Sequence, residues 1–276
     1  MRHWFITGVS SGLGLAIAQA ALERGDVVAG TVRSRTSLET FEAMQPGRAI
    51  GLLMDVTDHE TVKRAVAEAQ DRNGGIDILV ANAGRGLVGA VEETSAAEMQ
   101  DLFAVNVFGA VAVMQAVLPG MRQRRRGHII NITSVSGLAS WAGTGIYGAT
   151  KHAMQCIGQT LADEVAELGI KVTNVAPGGF RTAFAGSSLS SVSDTLQDYE
   201  GVARNASRIL ADHHGSEPGD PARAAAAILT IAGTENPPMN LLLGKDALGY
   251  ATASMGRLQA DIDKWHDLTM STGFRD

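Results

Sequence analysis

The sequence predicts an α/β fold: a doubly wound, mainly parallel sheet of seven strands with helices on both faces. Three observations predict it. Apolar runs near 2–7, 27–32, 49–54, 76–81, 127–132, 170–175 and 239–243 are strand-length and near-continuous, the pattern of strands buried on both faces. Helical runs near 12–24, 36–44, 58–72, 95–121, 146–168, 220–232 and 249–270 separate them, and such alternation marks a parallel sheet. The 276 residues include 32 glycines and are 45% apolar, enough for one large core with many tight turns. The whole chain, 1–276, is expected to be a single domain, with no internal repeat and no interdomain linker.

Strand one leads into the first chemical signal. Residues 2–7 are followed by Gly8-Val9-Ser10-Ser11-Gly12-Leu13-Gly14 and then by an alanine-rich helical run over 15–22. Strand, glycine turn and helix point backbone N–H groups and a positive helix end at a phosphate. Gly8, Gly12 and Gly14 allow a tight turn and close approach, and Ser10 and Ser11 add hydroxyl donors. The spacing is G-x-x-x-G-x-G, not the commoner G-x-G-x-x-G. Its job is the same: to cradle a dinucleotide pyrophosphate at the first turn of a Rossmann-type sheet.

Strand two runs into Val32-Arg33-Ser34-Arg35, and no acid appears before Glu39. An NAD site places an acid in this region for the ribose 2′-hydroxyl. Arg33, helped by Ser34 or Arg35, instead suits a 2′-phosphate. NADP(H) is therefore expected over NAD(H), unless the arginines are simply solvated at a strand end. Asp55 and Asp58 after strand three fit a helix cap, and Asp55, next to Val56, is also placed to face an adenine ring. Arg124-Arg125-Arg126 reads as a solvated helix end that complements the dipole.

Helix 146–168 carries the second chemical signal. Tyr147 and Lys151 are four residues apart, so they share one helix face. A free phenol titrates near ~10, too high for easy proton exchange at neutral pH. The Lys151 ammonium is expected to bring it toward the working pH, as general acid/base chemistry requires.

Segment 178–219 is the least regular. It begins Gly178-Gly179-Phe180-Arg181-Thr182 and holds Ser187, Ser188, Ser190, Ser191 and Ser193, which reads as a lid or as a variable surface loop. His213 and His214 near its end are expected to face solvent. No His/Cys cluster has ligand spacing, so no metal site is expected. In the C-terminal helix near 249–270, Leu258, Ile262, Trp265 and Leu268 share a face. That helix packs on the body, closes a pocket or meets another subunit.

Composition narrows the partners. The net charge of -6 argues against nucleic acid or an anionic membrane. No run is read as a membrane span, and no signal-peptide core precedes strand one. The single cysteine, Cys156, excludes an internal disulfide, suits a reducing cytoplasm and reads as a plain core residue. A cytoplasmic protein is expected.

Taken in order, Thr7-Gly8-Val9-Ser10-Ser11-Gly12-Leu13-Gly14, Asn82-Ala83-Gly84, Asn106, Ser134, Tyr147-x-x-x-Lys151 and Pro177-Gly178 resemble the short-chain dehydrogenase/reductase family. The likeness runs from residue 1 to about 243; one departure is Ala81, where many members have a second asparagine. The segments around Thr31-Val32-Arg33 and 177–182 and the C-terminal helix also look like the 17β-hydroxysteroid and retinol dehydrogenase branch. The resemblance implies a role for each position. Ser134 would polarise a substrate carbonyl. Tyr147 would exchange the proton. Lys151 would lower the Tyr147 pKa and hold the nicotinamide ribose. Asn106 would anchor a water leading from Lys151 toward solvent. Asn82, Ala83 and Gly84 would line the adenosine ribose, and Thr182 would bond the nicotinamide carboxamide. Leu13, Val56, Pro177 and Gly178 complete the candidate cofactor contacts. The family also implies a homodimer or homotetramer.

The expected reaction is hydride transfer between NADP(H) and a carbonyl or secondary alcohol. The candidate pocket residues Arg85, Leu87, Val88, Val135, Ser136, Leu138, Trp141, Phe180 and Phe184 are mostly apolar, which favours a hydrophobic or aromatic ketone or aldehyde. Two other readings stand beside this one. A non-catalytic dinucleotide sensor need not retain Ser134, Tyr147 and Lys151. A sugar epimerase or dehydratase would resemble a longer branch with a separate substrate domain.

Overall fold

The computed structural model of the chain describes residues 1–186, 188–212 and 214–274; Ser187 and His213 lie outside the described residues. Seven strands form one parallel sheet: β1 (His3–Thr7), β2 (Val27–Val32), β3 (Ala49–Leu53), β4 (Ile78–Ala81), β6 (Gly127–Ile132), β7 (Ile170–Pro177) and β9 (Asn240–Leu243). Their order is β3-β2-β1-β4-β6-β7-β9, so the winding reverses between β1 and β4. In such sheets ligands bind at this reversal, beyond the strand carboxyl ends.

Alternation along β1 builds both layers of the core. Phe5, with Leu79 and Ile129, points into one layer with α3 (His59–Asn73), α5 (Ala110–Arg124) and α6 (Gly145–Val165). Trp4 and Ile6, with Ile78, Val80 and Ile130, point into the other with α1 (Gly12–Glu23), α2 (Arg35–Met44) and α8 (Pro221–Gly233). The β1 residues are fully buried, as expected where helices cover both faces.

The helix predicted over 95–121 is three pieces: α4 (Ala96–Phe103), a π-helical segment (Ala104–Gly109) and α5. Contrary to the sequence reading, the continuous stretch Ala96–Arg124 is long and apolar enough to cross a membrane, but half of its most apolar window is buried inside the protein. The three arginines are not simply solvated either. Arg124 donates to Ile76 O, Arg125 to Glu167 O, and Arg126 pairs with Asp77. Cys156 is exposed, a correction to its expected place in the core.

The 178–219 segment has more structure than its composition suggests. It contains β8 (Leu189–Ser191) and α7 (Ala203–Asp212). β8 pairs in parallel with the short β5 (Gly86–Val88), a two-stranded ribbon beside the main sheet. Among the described residues no group of three His, Cys, Asp or Glu is placed to hold a metal ion, and His214 lies 3.7 Å from the Glu217 carboxylate. The C-terminal run divides into α9 (Lys245–Lys264) and α10 (His266–Met270).

Candidate active site

The glycine turn forms where β1 ends. Gly8 and Gly12 have φ of 74° and 63°, a region that side chains rarely adopt. Gly14 is fixed by space instead. A Cβ there would lie 2.2 Å from the Gly8 carbonyl oxygen and 2.4 Å from Asn82 Nδ2. The turn is braced by the first residues after β4. Thr7 Oγ1 accepts from the backbone N–H groups of Asn82 and Ala83, both at 2.9 Å. Asn82 Nδ2 donates to Thr7 O at 2.8 Å and Gly8 O at 3.2 Å, which spends the Asn82 amide on the turn. Leu13 packs into the core.

Ser11 caps α1 with an extended backbone but makes no side-chain capping bond, and Ser10 and Ser11 are both exposed. Their hydroxyls and the first N–H groups of α1 are thus free to meet an anion. Thr182, soon after the end of β7, comes close: its Cβ is 3.6 Å from where a Gly12 Cβ would stand. Arg33 is exposed at the end of β2. Ser34 caps α2 by accepting from Ser37 N. Asp55 accepts from the Thr57 hydroxyl and N–H, and these bonds, with a smaller pull from the Arg33 charge, hold its carboxyl below the usual range. Asp58 caps α3. Val56 is buried under Gly109, where an added Cβ would lie 2.8 Å from it. These features fit a phosphorylated dinucleotide: a turn too close for side chains, free donors at a helix start, and an exposed guanidinium one strand away.

Ser134, Tyr147 and Lys151 meet beyond β6. Ser134 Oγ accepts from Ser136 N at 3.1 Å and lies beside the Tyr147 phenol. Tyr147 and Lys151 are 9% and 6% exposed. Lys151 Nζ donates to Ile132 O at 3.0 Å and lies 5.9 Å from the Tyr147 ring centroid. The expected lowering of the phenol by Lys151 does not hold in the protein alone. Burial pushes Tyr147 up to about 12, against a smaller opposing pull from the neighbouring Ser134 hydroxyl. Burial also pushes Lys151 down to about 8. Both shifts have one cause: a low-dielectric site disfavours either charge.

Asn106 sits inside the π-helical segment and is 2% exposed. Its side chain accepts from Arg85 N at 2.9 Å and donates to Arg85 O at 2.9 Å and Thr150 Oγ1 at 3.1 Å. Both of its amide N–H groups are therefore committed to protein acceptors. Thr150 in turn donates to Tyr147 O at 2.7 Å. A chain of bonds thus joins the segment after β4 to the helix turn carrying Tyr147 and Lys151. Gly84 lies in the same corner, with Asn106 Oδ1 3.2 Å and Lys151 Nζ 3.4 Å from its Cβ position.

The predicted pocket residues divide into groups. Leu87 and Phe184 join Tyr147 in one apolar cluster with Val192, and the Phe184 and Tyr147 rings are 5.7 Å apart. Val88 is buried in β5. Val135 and Leu138 turn instead to Ala247 of α9, Trp141 pairs with Tyr250, and Phe180 bridges to Gly219. Two carboxylates escaped the sequence reading. Glu93 is buried and accepts from Ala90 N, Leu196 N and Arg204, which pins the 178–219 segment to the loop after β5. Asp246 accepts from Gly179 N at 2.7 Å, and a Cβ on Gly178 would lie 2.2 Å from it. It latches the loop that follows Pro177, the last residue of β7. A helix-start acid two residues after a glycine was the only signal for it.

The family model for short chain dehydrogenase matches residues 2–192. The chain is 37% identical over 272 residues to Oxidoreductase BOA17 of Botryotinia fuckeliana (strain B05.10), covering 98% of this chain and 99% of that protein. It is 38% identical over 256 residues to human Retinol dehydrogenase 8, covering 86% of this chain and 80% of that one. The crystal structure of a short-chain dehydrogenase from Streptomyces avermitilis superposes with a TM-score of 0.92 at 41% identity, covering 99% of this chain and 100% of the other. With the parallel sheet, the glycine turn and the Ser134–Tyr147–Lys151 corner already in place, these matches show that the chain belongs to the short-chain dehydrogenase family and is an oxidoreductase.

Proposed function

We propose that this enzyme interconverts a hydrophobic or aromatic ketone or aldehyde and its alcohol, with NADP(H) as hydride carrier. The observation that carries this reading is the corner where Ser134 stands beside the buried Tyr147, with the buried Lys151 one helical turn on. A bound nicotinamide supplies or accepts the hydride; the protein manages the oxygen and its proton. In reduction, Ser134 Oγ hydrogen-bonds the carbonyl oxygen, and Tyr147 Oη gives that oxygen its proton as the carbon gains the hydride. A phenol held at about 12 is fully protonated at neutral pH, the form this step needs. The phenolate left behind is stabilised by the Lys151 ammonium. In oxidation Tyr147 takes the proton back.

The cofactor would lie along the reversal between β1 and β4. Gly8, Gly12, Gly14, Ser10 and Ser11 would hold the pyrophosphate, and Arg33 the 2′-phosphate. Asp55 and Val56 would flank the adenine, Ala83 and Gly84 the ribose, and Pro177, Gly178 and Thr182 the nicotinamide side. Leu87, Phe184 and Val192 around Tyr147 favour an apolar substrate over a charged sugar.

The test is the decay of nicotinamide absorbance with NADPH, and separately NADH, against hydrophobic ketones and aldehydes. Turnover should favour NADPH and fall by at least ~1,000-fold in Tyr147→Phe while cofactor binding persists. Near-normal turnover in that variant would sink the mechanism. Activity confined to sugar substrates would sink the substrate class.

A further inference from the structure

Asp246 stands in the first turn of α9, where an acid ordinarily faces water and complements the helix dipole. Here the carboxylate is seated against the backbone of Gly178 instead. A Cβ on Gly178 would meet Asp246 Oδ2, Cγ and Oδ1 at 2.2, 2.4 and 2.4 Å, so the whole group fills a volume that only glycine leaves free. Oδ2 accepts from Gly179 N at 2.7 Å. Oδ1 is buried and has no hydrogen-bond partner. A charged acceptor left buried and unpaired is costly. Holding the Gly179 N–H does not require that charge, since a neutral side-chain oxygen also accepts.

The loop that Asp246 grips leads to the cofactor site. Gly178 N donates to Leu243 O at 2.9 Å, Gly219 N to Gly179 O at 2.9 Å and Arg181 N to Gly219 O at 3.0 Å. Residues 178–181 are thus held by β9 and α9 on one side and by Gly219 on the other. One residue on, Thr182 reaches the glycine turn beside Gly12. With Pro177, Gly178 and Thr182 framing the nicotinamide, the Gly178 backbone would separate that ring from the Asp246 carboxylate.

The two redox forms of the ring differ by one charge: the oxidised ring is a cation and the reduced ring is neutral. A fixed anion nearby therefore discriminates between them. Other charged groups around this corner are already engaged. Glu217 accepts from Gly215 N at 2.8 Å and lies 3.7 Å from His214, Arg181 donates to Glu217 O at 2.8 Å, and Lys151 donates to Ile132 O.

We propose that Asp246 is a positioning residue whose fixed charge, set against Gly178, favours the oxidised nicotinamide over the reduced one. The inference rests on the cofactor reading above. In carbonyl reduction hydride passes to the carbonyl carbon, Tyr147 supplies the proton to its oxygen, and positive charge develops on the ring, so the attraction to Asp246 strengthens as the step proceeds.

The test is binding: calorimetric titration of the full chain with NADP+, with NADPH, and with adenosine 2′,5′-bisphosphate, which lacks the nicotinamide half. Asp246→Asn keeps an acceptor for Gly179 N–H and removes the charge. It should weaken NADP+ about 10-fold relative to NADPH and leave adenosine 2′,5′-bisphosphate unchanged. Asp246→Ala removes the acceptor too. Both dinucleotides should then bind less tightly and hydrogen exchange at Gly179 N–H should quicken, while the ratio of the two affinities shifts in the same sense. Asp261→Asn, at an exposed acid farther along α9, should change nothing. An unchanged ratio in both variants at 246 would overturn the proposal, as would an equal shift in Asp261→Asn. A protein that bound only NAD+ and NADH would lose the phosphate reading, and the ratio for that pair would decide Asp246. Wild type that bound no dinucleotide would overturn the cofactor reading and this inference with it.

Discussion

Lys151 makes the cofactor-free protein less stable than it would otherwise be, and the effect has a definite pH signature. Its ammonium titrates at about 8 in the fold against a reference of 10.5, because burial disfavours the charge. Between those values the unfolded chain holds a proton that the folded chain has released. The unfolded state therefore binds more protons, and stability must rise with pH. One pKa unit is worth 1.36 kcal/mol, so from pH 7 to pH 10 the Lys151 contribution should rise by about 2–3 kcal/mol. Lys151→Met removes the titration and keeps the apolar stem. It also frees Ile132 O, which Lys151 Nζ reaches at 3.0 Å, at a cost of about 1 kcal/mol that does not vary with pH. The assay is urea unfolding of both proteins without cofactor at half-unit steps over that range. The difference between the curves isolates Lys151, since all other groups titrate in both. Wild type should gain on the variant by the stated amount as pH rises. A flat difference would refute the buried-ammonium argument, and a difference of opposite sign would mean that an unseen acid pairs with Lys151.

Other perturbations test the remaining parts. Gly14→Ala would push its methyl into Gly8 O and the Asn82 amide; overpacking there should cost about 1–3 kcal/mol in unfolding experiments and weaken NADPH binding in fluorescence titration. Normal affinity would mean that the turn relaxes freely. Arg33→Ala should raise the KM for NADPH about 10- to 100-fold while leaving NADH nearly unchanged, the value of one charge-assisted contact; equal losses would show that Arg33 does not read the phosphate. Asn106→Ala strands the Arg85 backbone groups and should lower stability by about 2–3 kcal/mol in urea unfolding, and an unchanged midpoint would count against the clamp.

The sheet was legible because parallel strands buried on both faces constrain the pattern: runs such as 27–32 and 49–54 are nearly all apolar, and helices fill the intervals. The glycine turn was legible because three glycines at fixed spacing answer a backbone demand, and the structure shows that demand as φ values at Gly8 and Gly12 and as a clash at Gly14. The π-helical segment was not. Ala96 to Arg124 has one continuous helical composition, and the extra residue is taken up where Asn106 clamps Arg85 and Gly109 meets Val56. Neither contact leaves a local trace. The β5–β8 ribbon joins residues about a hundred apart, and Glu93 looks like any surface acid until Leu196 and Arg204 close over it.

The same distinction between pattern and environment explains why the shared helix face of Tyr147 and Lys151 was legible while their electrostatics was not. Spacing of four residues fixes that two groups share a helix face; it says nothing of the dielectric they share. The sequence reading assumed that the cation would act on the phenol at full strength. In the structure Lys151 donates to Ile132 O instead, and burial dominates both groups. The result favours one direction of chemistry at rest. A protonated phenol beside Ser134 is ready to donate, while a lysine near 8 is ready to lose its charge or to keep it for a phenolate that has just formed. In the proposed reaction, a substrate oxygen gaining negative charge beside Tyr147 would draw the proton off the phenol, and only then would an anion appear for Lys151 to stabilise. On that proposal the pair would work best when charge develops during the reaction, which is where an interaction must strengthen to accelerate it.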